Sequence, residues 1–252
     1  MKFLFVCAAL CLINSLCMAA GQKDIDMTKQ KENIKCATLD IQVSFIGHAS
    51  LMIENNGKVY HIDPWSKMGD YSKLPKADII FVTHEHFDHY DKALIKQLSK
   101  ENTKIVTTAA VAEDYGKTAN MTVLANGEST TIDGIKIDAV PAYNIQHLRD
   151  GKNPFHPKGR GNGYIITIDG LRLYVAGDTE NVPELKELKN IDVAFLPFNL
   201  PYTMDKEMFE DLAKSIKAGY LYPYHTMGMD QKTIESVNVP DSIVRIRKFE
   251  NE

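Results

Sequence analysis

The chain has 252 residues, 44% of them hydrophobic and 25% charged, with a formal net charge of −4. These values fit a globular protein built as one large domain or two small ones, with a substantial core. They carry no block of like charges, and so no basic footprint for nucleic acid.

The first twenty residues follow a grammar of their own. Lys2 precedes an apolar run from Phe3 to Ile13, and small residues end at Ala19-Ala20. That is the n-region, h-region and cleavage site of a secretory signal peptide, 1–20, with cleavage expected at Ala19 or Ala20. The apolar run is too short for a stable membrane span. An exported protein, periplasmic or secreted, is the corresponding expectation. A lipid anchor at Cys17 is the lesser alternative, because Asn14-Ser15-Leu16 makes a poor lipobox. Cys7, Cys11 and Cys17 fall inside the signal, and Cys36 alone remains. A single cysteine forms no internal disulfide and excludes thiolate-rich zinc sites. Any metal site must then use nitrogen and oxygen.

Residues 21–39 are polar and lysine-rich and read as a mobile N-terminal arm. The main globular domain is expected over 40–252. Ile41 to Ile46 alternates as a strand does, and Leu51 to Ile53 continues the pattern. Asn55-Asn56-Gly57 is a hairpin turn signal, and Lys58 to Ile62 is the returning strand, ended by Asp63-Pro64. A loop over 64–77 leads to the buried strand Ile79–Val82. Asp91 to Lys100 has helical spacing at Leu94, Ile95 and Leu98, and Ile105 to Thr107 is a short strand. Ala109 to Tyr115 reads as helix. Strands follow at Met121–Leu124, Ser129–Ile132 and Ile135–Val140, the last two joined across Asp133-Gly134. Residues 141–162 form a long irregular segment, and a loop of that length in a compact domain is usually functional. Strands resume at Tyr164–Ile168 and Leu171–Val175 across Asp169-Gly170, then at Ile191–Leu196. Lys206 to Lys217 is a helix, Tyr220–Tyr224 a strand, and Ile243–Ile246 a last strand. Two packed sheets with helices outside are the expected architecture.

The chemistry concentrates in Thr83-His-Glu-His-Phe-Asp-His89, directly after an apolar strand. Three imidazoles and a carboxylate in six positions, in a chain with eight histidines, are the ligand set of zinc, manganese or iron. Asp178 follows the strand Leu171–Val175, and His225 follows Tyr220–Tyr224. Each candidate ligand therefore sits just beyond a buried strand, where loops gather at one end of a sheet. His61 lies inside a strand and reads as structural. His48 reads as an outer partner of the site or simply as a hydrogen-bonded histidine. Asp63 reads either as the carboxylate that orients a ligating histidine through its other ring proton or, equally, as part of the strand-ending Asp-Pro turn. Lys158 and Arg160 border the segment expected at the site and are candidates to hold an anionic substrate group. Trp65, Tyr71 and Tyr202 are candidates for pocket walls.

These marks resemble the metallo-β-lactamase superfamily. The matching residues are Thr83-His-x-His-x-Asp-His89, Gly177-Asp178-Thr179, Pro223-Tyr224-His225, Gly47-His48-Ala49-Ser50 and Asp63-Pro64. The last two resemble the branch that includes ascorbate-6-phosphate lactonase-like proteins and other metal-dependent hydrolases. The resemblance implies a single α/β (α+β) domain, a four-layer αββα sandwich. It implies that His84 and His86 hold a first metal, Asp88, His89 and His225 a second, with Asp178 bridging both. Two divalent cations, Zn²⁺ or else Mn²⁺ or Fe²⁺, would activate a metal-bound hydroxide, and Asp88 would be the catalytic residue that orients it. Relatives place a third histidine of the first site after Pro-Ala; here Pro141-Ala142 is followed by Tyr143-Asn144. His156 is the preferred substitute, and His147 the alternative.

The expected activity is hydrolysis of an ester, lactone, amide or phosphodiester in a small molecule. An iron-dependent oxidoreductase of the same fold is the second reading, and metal analysis separates the two. A non-catalytic metal-binding protein with a degenerate site is the third, favoured only by the displaced histidine.

Overall fold

The structure is a computed structural model that describes residues 22–36 and 39–248. The expected signal peptide and cleavage site, and Cys17, lie outside the described residues. The strands are, in chain order, β1 (Lys23–Asp26), β2 (Lys31–Cys36), β3 (Leu39–Gly47), β4 (Ser50–Asn55), β5 (Lys58–Ile62), β6 (Ala77–Phe81), β7 (Ser99–Thr107), β8 (Met121–Val123) and β9 (Ser129–Ile132). They continue with β10 (Ile135–Ala142), β11 (Leu148–Arg149), β12 (Asn153–Pro154), β13 (Gly161–Ile168), β14 (Leu171–Val175), β15 (Val193–Pro197), β16 (Tyr220–Tyr224) and β17 (Ile243–Arg247). The helices are α1 (Lys92–Leu98), α2 (Ala109–Tyr115), α3 (Pro183–Lys186), α4 (Lys206–Ile216) and α5 (Gln231–Ser236).

One sheet runs β2-β3-β4-β5-β6-β7-β8, and the other β1-β17-β16-β15-β14-β13-β10-β9. Side-chain alternation stacks them. Val43, Phe45, Ile53, Phe81, Tyr164, Leu173, Phe195 and Tyr222 meet between the sheets. Residues one position out of phase face outward. Ile80 and Met52 pack under α1 and α2 with Leu94, Ile95 and Val111. Ala194, Leu196 and Leu221 pack under α4 with Phe209, Leu212 and Ile216. Both faces of the central strands are thus buried, which is why those strands read as continuous apolar runs. The result is the αββα sandwich. The hairpin turns at Asn56-Gly57, Asp133-Gly134 and Asp169-Gly170 all place both residues at positive φ, as a two-residue turn with right-handed strand twist demands.

The polar arm expected over 21–39 is a correction. Its residues form β1, parallel to β17, and β2, antiparallel to β3, at the edges of the two sheets. On β2, Glu32 and Ile34 are buried while Lys31, Asn33 and Lys35 are exposed. The buried charge is neutralised from the far end of the chain. Arg247 Nε donates to Glu32 Oε2 at 2.8 Å, and Arg245 reaches Glu32 Oε1 at 2.6 Å. A strand whose inward positions include a paired carboxylate shows too little apolar periodicity to be recognised alone. The irregular segment 141–162 also contains structure, the small β11–β12 hairpin. Helices α3 and α5 are too short to leave a clear period. Among the described residues no helix is long and apolar enough to cross a membrane.

Candidate metal centre

The strand ends deliver the site. The loop after β6 carries His84, His86, Asp88 and His89; the loop after β14 carries Asp178; the residue after β16 is His225. His48 sits in the β3–β4 turn and Asp63 just after β5. His48, Asp63 and His225 have φ of 52°, 42° and 54°, left-handed values that non-glycine residues seldom adopt and that here turn three polar side chains toward one place. Gly177 is required for the approach of Asp178: at φ 64° a Cβ there would lie 2.9 Å from the Asn162 carbonyl oxygen and 3.1 Å from Thr83 Cβ.

Asp178 stands at the centre. Its Oδ1 lies 3.2 Å from His89 Nε2 and 3.3 Å from His225 Nε2. Its Oδ2 lies 3.2 Å from His156 Nε2 and 3.9 Å from His84 Nε2. His156 Nε2 is in turn 3.1 Å from His86 Nδ1. On the other side Asp88 Oδ2 lies 3.8 Å from His225 Nε2 and 3.9 Å from His89 Nε2. Two half-sites result. One gathers the ligand atoms of His84, His86 and His156, the other those of Asp88, His89 and His225 with His48 beside them, and each half contains atoms within 4.8 Å of one another. Asp178 offers one oxygen to each.

The donor set fits divalent cations. His84 Nε2, His89 Nε2, His225 Nε2 and Asp178 Oδ1 are buried without a hydrogen-bond partner. Buried polar atoms without partners are costly, and four converging on one point call for an ion. His84 and His86 have pKa values lowered first by burial and then by their imidazole neighbours. Neutral imidazole is the ligating form. Burial also opposes charge on His89 and His225, but the surrounding carboxylates outweigh it: Asp178 and Asp63 hold His89 well above its ordinary value, and Asp178 and Asp88 raise His225 to about 9. Burial resists ionisation of Asp178 and Asp88 too, and the imidazoles around them overcome it, so both stay ionised. Without a cation, protons on His89 and His225 balance the two carboxylates; a cation would take their place.

An outer layer sets the tautomers. Asp63, fully buried, accepts from Thr83 N at 2.8 Å, from the Thr83 hydroxyl at 2.7 Å and from His89 Nδ1 at 2.8 Å. Thr83 Oγ1 also lies 3.0 Å from His84 Nδ1. With the hydroxyl donating to Asp63, it accepts from His84. One carboxylate therefore holds a ring proton of both His84 and His89 on Nδ1, which makes Nε2 the nitrogen that each would offer a cation. His48 Nε2 lies 3.1 Å from Asp88 Oδ2, its ring packs at 3.7 Å against His225, and its carbonyl accepts from His225 N at 3.0 Å. Burial lowers the His48 pKa to about 4, against the pull of Asp88, so it is a neutral donor to that carboxylate. Ser50 donates to the Asp63 carbonyl at 2.6 Å. The Gly-His-Ala-Ser turn thus braces both half-sites.

The third histidine is held by residues that sequence reasoning did not single out. Asn144 Oδ1 accepts from His156 N at 2.9 Å and His156 Nδ1 at 2.7 Å, and Asn144 N donates to the His156 carbonyl. Asn144 stands directly after Tyr143, close to where relatives are expected to carry the ligand; here it grips His156 instead. Glu180, two residues beyond Asp178, accepts from the backbone N–H of Ile145, Gln146 and His147 at 2.6 to 2.7 Å. The proximity of Glu180 to Asp178 in sequence was the available signal. His147 Nδ1 meets the Thr203 carbonyl and Glu180, each at 3.0 Å, apart from the metal-binding groups. His61 is buried in β5, its Nε2 donating to the Pro75 carbonyl at 3.0 Å.

Lys158 and Arg160, the candidates to meet an anionic substrate, are each paired with a carboxylate. Lys158 pairs with Glu184 and Arg160 with Glu85. Arg160 lines a small recess with His84, His86, His156 and Asp178, and neither Lys158 nor Arg160 lines the cavity of about 500 Å³ on the other side of those imidazoles. That cavity is walled by Trp65, Phe87, Phe155, Tyr202 and Met227, with Arg149 and Asn199 at its polar edge. Tyr71 lies beneath, its hydroxyl accepting from Trp65 N.

The family described as the beta-lactamase superfamily domain matches residues 42–225. The chain belongs to the beta-lactamase superfamily. This superfamily member is 34% identical over 195 residues to a metal-dependent hydrolase of Thermococcus kodakarensis, covering 73% of its own length and 84% of the relative's. It is similar to a crystal structure of a metal-dependent hydrolase from Parabacteroides distasonis, at 41% identity and a TM-score of 0.80, covering 88% of this chain and 99% of that one. A metallo hydrolase from Ignicoccus hospitalis shares 25% identity and a TM-score of 0.67, over 84% of this chain and 96% of that one.

Proposed function

We propose that this metal-dependent hydrolase of the beta-lactamase superfamily binds two divalent cations, zinc in the first place with manganese or iron as substitutes, and cleaves an ester, lactone, amide or phosphodiester of a small molecule. The observation that carries the reading is the division of Asp178: one oxygen faces His84 and His156, the other faces His89 and His225. His84, His86 and His156 would hold one cation, Asp88, His89 and His225 the other, with Asp178 between them. When bound, the cations supply Lewis acidity, acidifying a water and offsetting charge on the substrate oxygen. Asp88 is the catalytic residue. It is partly exposed to the cavity and ionised, and His48 fixes its Oδ2, so it accepts a hydrogen bond from the attacking water and aims it. The buried histidines and Asp63 keep the ligating nitrogens in place.

The motif likeness to ascorbate-6-phosphate lactonase-like proteins adds the lactone to the bond set. Export belongs to the same proposal; the pattern Lys2, Phe3–Ile13, Ala19-Ala20 supports it, and mass spectrometry of the mature N-terminus tests it.

The test pairs elemental analysis with turnover. The protein is expected to bind about two cations and to hydrolyse p-nitrophenyl acetate or bis(p-nitrophenyl) phosphate. Chelator should abolish turnover, and Asp88→Ala should lower it at least ~100-fold while the circular dichroism spectrum is kept. An unchanged rate in Asp88→Ala, or turnover indifferent to chelator, rejects the assignment.

A further inference from the structure

We propose that Arg149 selects the substrate: it receives a carboxylate or phosphate group of a molecule whose apolar part lies against Trp65, Phe87, Phe155 and Tyr202. This rests on the hydrolase reading and names the substrate class for it.

The cavity over the metal-binding groups is mostly apolar, and its apolar side chains are left open. Phe87 is 70% exposed, Tyr202 46% and Met227 38%. Leu200 and Ile145, beside Tyr202 and Asn144, are exposed as well. Three exposed large hydrophobic residues, Phe87, Tyr202 and Met227, thus line one mouth. Such a patch, rimmed by polar groups, marks a ligand site. Trp65 meets Phe87 edge to face at 5.6 Å, and Phe155 meets Tyr202 at 5.1 Å, so the walls are two aromatic pairs.

Among the described residues Arg149 is the one Lys or Arg that lines this cavity. Its guanidinium carbon lies 5.3 Å from the centroid of the Phe155 ring. A cation–π contact occupies none of the guanidinium N–H groups as hydrogen-bond donors, so they remain available to grip a carboxylate or phosphate bidentately. Its exposed guanidinium has no carboxylate partner among the described residues, whereas Lys158 and Arg160 are each paired.

The position is built. Arg149 belongs to the β11–β12 hairpin, whose two ends are tied to the metal centre. Residues 145–147 are held by Glu180, and His156, just after Phe155, is held by Asn144. The anion receptor and the ligand His156 are thus carried on one ribbon, at a fixed separation.

Trp65 is the sole tryptophan of the chain and lines the cavity, so its fluorescence reports binding there. The zinc-loaded protein is titrated with 4-nitrobenzoate and with its neutral counterpart 4-nitrobenzamide, as wild type, Arg149→Gln and Arg149→Lys. Wild type should prefer the benzoate. Arg149→Gln should weaken benzoate binding by about tenfold and leave the benzamide unchanged, with Arg149→Lys between them. Equal losses for both ligands, or no loss for either, overturn the assignment. Binding is read without turnover, so a protein that cleaves no test ester still decides the role of Arg149. Turnover by wild type with an unaltered Arg149→Gln titration would leave the hydrolase reading standing and remove this one.

Discussion

Asp63→Asn is the most demanding test of the outer layer. The substitution preserves volume but replaces one oxygen by an NH₂ donor at a fully buried site. Every group facing the carboxylate is itself a donor: Thr83 N, the Thr83 hydroxyl and His89 Nδ1. Suppose the amide nitrogen takes the Oδ2 position. The Thr83 hydroxyl can rotate to accept, but its proton then points at His84 Nδ1, and His84 must carry its own proton on Nε2. His89 must shift its proton to Nε2 as well. Both nitrogens facing Asp178 would then be protonated and unable to ligate. Suppose instead that the nitrogen takes the Oδ1 position; it then meets the Thr83 backbone N–H, which cannot rotate away. Loss of such an outer partner typically costs 10–100-fold in metal affinity, about 1.4–2.7 kcal/mol. His84 and His89 lie in different halves, so both cations should weaken together. The assay titrates metal-free protein with zinc against a chromophoric chelator, with elemental analysis for stoichiometry and circular dichroism for the fold. Unchanged affinity for both cations, or weakening of one alone, would refute the shared-carboxylate argument.

Three further outcomes are expected. His156→Ala should remove about one equivalent of zinc, and Asn144→Leu should do the same in weaker form, about 10–100-fold in affinity; His147→Ala should leave stoichiometry intact, and the reverse pattern would move the ligand to His147. In the metal-free protein the folded pKa of His225, about 9, exceeds its ordinary 6.5, so this stabilisation is present below about 6.5 and lost as pH rises through about 9. The melting temperature of chelated protein should fall over that window relative to zinc-loaded protein, in which a ligating imidazole carries no extra proton to lose; parallel curves would contradict this. Zinc binding near pH 7 should also release protons from His225 and His89, seen as a buffer-dependent heat in calorimetry, and a buffer-independent heat would show that those imidazoles were already neutral.

The parts of the site that were legible are the parts encoded locally. His84, His86, Asp88 and His89 form one short string after an apolar strand, and Asp178 and His225 each follow another, so residue type and strand position sufficed. The parts that were not legible depend on partners distant in the chain. Lys158 and Arg160 look free in sequence and are neutralised by Glu184 and Glu85. Glu32 looks like solvated charge and is buried by Arg247 and Arg245 from the last strand. Arg149 carries no local mark at all; its position over Phe155 makes it the cation of the cavity.

The amino-acid string by itself determined the two-sheet sandwich, because doubly buried strands, paired left-handed turn residues and a clustered imidazole set are local properties of neighbouring residues. Only the tertiary structure decided which loop histidine joins His84 and His86, and which cation faces the cavity. Those choices depend on the path of an irregular segment, and that path is set by buried hydrogen bonds from Asn144 and Glu180 that no periodicity records.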